Sequence, residues 1–331
     1  MSGAGVMADG GARRALVAGL AGLSLLAGCA EPAVEAPAAD PAPVSAPAPK
    51  PAPPAAPPRP SARSEALAQG YLRLQSRLLA QNLLRGDGGG ADTPFTAEQL
   101  ARDFIRIALF DEYSDDSDFR RPQATETQLR RWTRPIRMRI VHDPLTPQGQ
   151  RQADETSVST YAARLSRLTG VPITLVAQDA PANYHVLFLG EDARRDYGAE
   201  MRRLIPNIPE STLRAFLNLP QDQLCLVIGT FQPGASRYET AVALIRAEHP
   251  SLMRVACIHE ELAQGMGLAN DSPAARPSIF NDDEEFARLT VHDELLLKML
   301  YDPRLRPGMT AIEAAPIARR IAIELTGGAS S

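Results

Sequence analysis

Apolar residues recur at helical spacing toward both ends of the chain and at strand spacing through its middle. Leu67, Tyr71, Leu74, Leu78 and Leu83 predict a helix over 64–84 with Ser64 as N-cap, stopped by the glycines at 86–90. A second helix starts near Pro94, with Leu100, Phe104, Ile107 and Ala108 on one stripe. Between 132 and 141 apolar residues alternate with arginine, the pattern of a strand with one solvated face. A helix over 156–168 ending at Gly170 comes next, then strands over 171–177 and 184–190. Short helices over 193–204 and 210–217 follow, and then strands over 224–231 and 238–245. The last pattern is helical: a motif segment over 257–271, then helices over 282–300 and 310–325.

The motif segment carries the candidate chemistry. Ile258, Leu262 and Met266 lie on one stripe of its helix, while Glu260, Gln264 and Gly267 lie on another with Glu261 beside it. One face is apolar and the other bears carboxylates and an amide. Strand, helix, further strands and then this helix is the order of a zincin N-terminal subdomain, an order shared by many α+β folds.

Gly267-Leu268 followed by Asn270 resembles the zinc helix of the metzincin peptidases, where three histidines and a general-base glutamate surround one zinc. Aligned on the glycine, Glu260 stands at the first histidine, Glu261 at the base, Gln264 at the second histidine and Asn270 at the third. Only the base is unchanged. Sliding by one residue pairs His259 with Glu260 but places Ala263 at the second histidine, and alanine binds no metal.

Cys257, Glu261, Gln264, Gly267-Leu268 and Asn270-Asp271, with Leu289-Thr290, His292-Asp293, Leu300-Tyr301-Asp302 and Pro307-Gly308-Met309, resemble a family of bacterial envelope proteins, domain-of-unknown-function family 2927. The resemblance runs from about residue 95 to 325. It implies the α+β class and a zincin-like, degenerate metzincin domain with a small mixed sheet, a central motif helix and N-terminal helices.

In that setting Glu261 is the candidate base. Glu260, Gln264 and Asn270 are the candidate metal ligands, with Asp271 beside them. Such an oxygen set suits calcium or magnesium better than zinc, which wants imidazole or thiolate. No cofactor is firmly implied, and zinc and calcium are the ions to consider. His292 with Asp293, His185 and His259 are the imidazoles that folding would have to bring in. The competing reading is a buried polar network, because carboxylates buried without partners cost several kcal/mol. Cys225 and Cys257 form an even pair, expected to be a disulfide in an oxidising compartment, with two buried thiols as the alternative.

The compartment is read from the N-terminus. Arg13 and Arg14 precede an apolar run over 15–26, the length of a signal-peptide core, and Leu26-Ala27-Gly28-Cys29 resembles a bacterial lipobox. An acylated Cys29 would hold the chain to a bilayer, each buried methylene contributing about 0.8 kcal/mol; an ordinary secretory signal is the alternative. Proline and alanine dominate 30–60, the composition of a semi-rigid spacer.

The expected layout is a signal peptide over 1–28, a tether over 29–60, an N-terminal helix over 61–92 and the zincin-like domain over 93–331. The net charge of −4 and the lack of a basic stripe give no reason to expect nucleic acid as a partner. The expected function is an envelope lipoprotein facing the periplasm whose degenerate metallopeptidase-like domain binds a polypeptide or cell-wall partner. The alternative is an active metal-dependent peptidase with Glu261 as general base.

Overall fold

The structure, a computed structural model, describes residues 59–111, 125–232, 234–281 and 283–327. The expected signal segment, Cys29, the Pro/Ala-rich stretch as far as residue 58 and residues 112–124 lie outside them. Described elements are α1 (Ala62–Ala80), α2 (Ala97–Ala108), β1 (Phe110–Asp111), β2 (Thr125–Glu126), β3 (Ile136–His142), α3 (Gln148–Thr169), β4 (Ile173–Leu175) and β5 (Tyr184–Leu189). They continue with α4 (Glu191–Arg195), α5 (Gly198–Leu204), α6 (Glu210–Leu217), β6 (Cys225–Phe231), β7 (Tyr238–Arg246), α7 (Ser251–Gln264), α8 (Val291–Leu300) and α9 (Ala311–Leu325). This is a mixed α+β fold.

The central sheet has the order β4-β3-β5-β7-β6; every neighbouring pair is parallel except β6 against β7, which form an antiparallel hairpin. Both faces of its middle strands are covered, so β5 is buried along its whole length. Alternation along the strand then sorts the core into two layers. Tyr184, Val186 and Phe188 pack with Tyr161 of α3 and with Ile258 and Leu262 of α7, whereas Leu187 and Leu189 pack with Met201, Leu213 and Phe216 from the α5–α6 side. A third cluster seats Leu67, Tyr71 and Leu78 of α1 against Met253 of α7 and Ala287.

Several expected boundaries move for identifiable reasons. Ser61 caps α1 in place of Ser64, accepting the Ser64 N–H at 3.2 Å. The 193–204 helix breaks at Asp196 and Tyr197 into α4 and α5, and the 171–177 strand shortens to the edge strand β4. The 156–168 helix begins already at Gln148, just after Pro147, where the fixed proline φ suits a helix start. The 282–300 helix starts only at Val291. Thr290 caps it, in a reciprocal box with Asp293, and the preceding residues are drawn into a ladder in which Leu84 and Arg85 donate to Glu284 and Glu285 and Ala287 donates back to Arg85.

Cys225 and Cys257 are bridged, with an S–S distance of 2.06 Å. The bridge joins the start of β6 to the middle of α7, which begins at Ser251, six residues before the motif segment.

Candidate functional site

The site is built on α7. Its first turn follows Pro250, which offers no capping side chain, and the acceptor comes from another element: Gln75 Oε1 of α1 accepts the N–H groups of Leu252 and Met253, both at 3.2 Å. Met253, Cys257, Ile258 and Leu262 bury the core side of the helix, and Arg254 pairs with buried Asp154 at 3.2 Å.

The other end of α7 is clasped by aromatic residues. Tyr184 donates to the Glu261 carbonyl at 3.0 Å, Trp132 Nε1 to the Gly265 carbonyl at 2.8 Å, and Tyr301 to the Met266 carbonyl at 2.8 Å. The fit leaves no room for side chains. A Cβ on Gly265 would come within 2.0 Å of the Tyr184 hydroxyl oxygen, and one on Gly267, whose φ is 121°, within 2.3 Å of the Arg130 carbonyl.

Against the remaining face of α7 lies a groove of about 1490 Å³, larger than an ordinary small-molecule site. Strand β6 runs along it, and Glu260, Glu261, Gln264 and Asp271 lie together in it. Gln264 Nε2 donates to Asp271 Oδ1 at 3.1 Å. Donor atoms of Glu260, Glu261 and Cys225 all lie within 4.8 Å of one another, with Cys225 Sγ 3.7 Å from Glu260 Oε2. Arg130, clamped by Asp111 at 2.8 Å and stacked over Phe231, lines the groove together with Arg134 and Arg137. Strand β6 ends the sheet, so its outer backbone edge meets no further strand among the described residues.

Other residues picked out by the sequence are packed elsewhere. His259 turns to the opposite side of α7, where Nδ1 accepts the Leu289 N–H at 3.0 Å and the ring stacks on Tyr161; burial, helped by Arg288 and Arg164, holds its pKa down to about 3. Asn270 ties the loop after α7 to α2, donating to the Arg106 carbonyl at 2.9 Å. Asp293 serves the α8 cap and accepts from the Ser278 hydroxyl at 2.6 Å.

His292 is fully buried with Nε2 3.1 Å from Asp103 Oδ2. Burial opposes charge on that ring, but Asp103 and Asp293 outweigh it and lift the pKa to about 8. His185 sits on the sheet face away from α7, its pKa lowered to about 4 by burial and by Arg139 and Arg203. His249 is buried beside Cys257 and Tyr71, and burial holds its pKa well below the usual range. His142 faces Asp154 at 3.5 Å.

All five histidines are thereby placed, and none lines the groove. The donors gathered there are carboxylates, an amide and a disulfide sulfur, which do not fit a tetrahedral zinc of the metzincin kind.

Three features of the site escaped sequence reasoning: the edge strand as a wall, the aromatic clasp and the cap from Gln75. Trp132, the single tryptophan of the chain, and Tyr301, within the Leu300-Tyr301-Asp302 motif, were the signals available for the clasp.

The family model described as "Protein of unknown function (DUF2927)" matches residues 97–320. No curated protein and no solved structure matches the chain.

Proposed function

This chain belongs to the DUF2927 family, whose model spans more than half of it, and from that premise we propose that its groove binds an extended polypeptide or cell-wall peptide on a degenerate, zincin-like scaffold anchored in the cell envelope. One observation carries the reading: a groove large enough for several residues runs along a strand edge that meets no further strand among the described residues, with acid and amide side chains at α7, Arg130, Arg134 and Arg137 elsewhere on its lining, and no imidazole. A strand edge offers a row of backbone donors and acceptors, and an extended peptide is the ligand that matches them. The carboxylates of Glu260, Glu261 and Asp271 favour a ligand carrying a basic side chain or a free ammonium. The order β3, α3, further strands and then the motif helix, with that helix packed on one sheet face, supports the zincin-like scaffold. The lipobox at Cys29 supports the anchor.

The test is selection of a displayed library of linear decapeptides on the immobilised protein. Enrichment of extended sequences bearing Lys or Arg, with affinity falling at least tenfold in Glu260→Gln and Gln264→Ala, is expected. No enrichment, or binders indifferent to both substitutions, would sink the reading.

Hydrolysis with Glu261 as base is the second reading, favoured by the presence of that carboxylate in the groove beside Gln264 and Asp271. Mass spectrometry of the selected peptides decides it. Cleavage that disappears in Glu261→Gln while binding persists would make the protein a peptidase.

A further inference from the structure

We infer that the Cys225–Cys257 bridge masks a divalent-cation site, made of Cys225 Sγ with the carboxylates of Glu260 and Glu261, that becomes available when the bridge is reduced. The three donor atoms already lie within 4.8 Å of one another. A tetrahedral zinc with bonds of about 2.3 Å to sulfur and about 2.1 Å to oxygen would hold those two atoms about 3.6 Å apart. Cys225 Sγ and Glu260 Oε2 stand at 3.7 Å.

The two elements that hold these donors do not rely on the bridge alone for their positions. Cys225 is fixed in the β6–β7 ladder opposite Ile245, and Glu260 and Glu261 are fixed by α7, with the Tyr184 hydroxyl on the Glu261 carbonyl. Cutting the S–S bond therefore releases a ligand where its partners already stand.

In the bridge, the sulfur of Cys225 carries no thiolate charge and is a poor ligand, which leaves only oxygen donors. As a thiolate it changes the chemistry of the set, since one sulfur and two carboxylates suit a borderline ion such as zinc or cobalt better than calcium. Cys225, Glu260 and Glu261 all line the groove, so an ion can enter from it. Cys257 lies on the other side of the bridge, its Sγ 3.6 Å from His249 Nδ1 among buried residues. Reduction thus parts the two sulfurs between two environments.

The electron balance needs a reductant, which we take to be a dithiol. Its two thiols close to a disulfide, two electrons cleave Cys225 Sγ–Cys257 Sγ, and the two protons released by the reductant convert both cysteines to thiols. On binding, the cation displaces the Cys225 thiol proton to water. This inference goes beyond the peptide reading, which is tested on the oxidised chain, so either can fail without the other.

The experiment titrates cobalt(II) into the full chain and follows the near-ultraviolet thiolate-to-cobalt absorption. The chain is examined oxidised, after reduction by a water-soluble phosphine (itself oxidised to the phosphine oxide), and as Cys257→Ser and Cys225→Ser. No band is expected from the oxidised chain, and one equivalent from the reduced chain and from Cys257→Ser without any reductant. No band is expected from Cys225→Ser, and affinity should weaken at least tenfold when Glu260→Gln is added to Cys257→Ser.

A folded Cys257→Ser without the band, or a Cys225→Ser that binds as tightly, would overturn the inference. Where Cys257→Ser fails to fold, judged by circular dichroism, the reduced wild-type chain decides. Absence of the band there, followed by recovery of the native spectrum on reoxidation, overturns it equally.

Discussion

Gly265 and Gly267 set the tolerance of the site at the level of single atoms. At Gly265 an added methyl would overlap the Tyr184 hydroxyl, and at Gly267 it would press on a backbone carbonyl from a φ that L-residues rarely adopt. Gly265→Ala and Gly267→Ala are each expected to cost about 1–3 kcal/mol or more in chemical denaturation, as overpacking does. Gly149→Ala, where the space is open, should leave stability within about 0.5 kcal/mol or raise it.

The buried histidines give a second prediction at this scale. His292 is held at about 8 in the fold against about 6.5 unfolded, so its contribution is complete below pH 6.5 and is lost as pH rises through 8; the difference corresponds to about 2 kcal/mol. His259 and His185, depressed to about 3 and about 4, act the other way. Their contribution is complete above about pH 6.5 and fades as pH falls. Thermal midpoints measured across pH should peak near pH 6.5, and His292→Asn should flatten the alkaline limb while leaving the acid limb in place. An unchanged alkaline limb would show that the Asp103 pairing contributes nothing.

Among the elements, α7 depends on partners far away in sequence. Gln75 reaches from α1 to accept two of its first N–H groups, a cap that Pro250 cannot supply. Gln75→Ala should lower the unfolding free energy by about 1 kcal/mol, within the usual range for a lost N-cap, and Gln75→Glu should retain most of it. Urea denaturation of the two variants checks this.

The same dependence explains which elements were legible. Periodicity alone found α1, α2, β3, β5, β6, β7 and α9, because each buries one stripe or one face and its spacing records that burial. Residues 283–290 misled it. Phe286 and Leu289 stand at helical spacing, yet the backbone of Glu284, Glu285 and Ala287 is taken up by the ladder to Leu84 and Arg85, a pairing that no local pattern announces.

For the whole molecule, the unmatched N-terminal part is where export and attachment would be decided. Cys29 lies outside the described residues and α1 outside the stretch matched by the family model, yet α1 packs directly on α7. Cys29→Ser should move the protein from the membrane to the soluble fraction on cell fractionation; full membrane retention would remove the lipid anchor from the proposed function.

By itself the sequence determined the α+β class and the helix that carries Glu260, Glu261 and Gln264, since periodicity records burial; Cys225 and Cys257 it offered either as a bridge or as two buried thiols, and the fold closed the bridge. Only the tertiary structure decided the membership of the site. Glu260, Glu261, Gln264 and Asp271 meet in one groove, whereas His259, Asn270, His292 and Asp293 hold the fold together elsewhere. Residues one or two positions apart on a helix or turn point in different directions, and what each direction meets is fixed by other elements, from 15 residues away for Asp293 on Ser278 to 189 for His292 on Asp103.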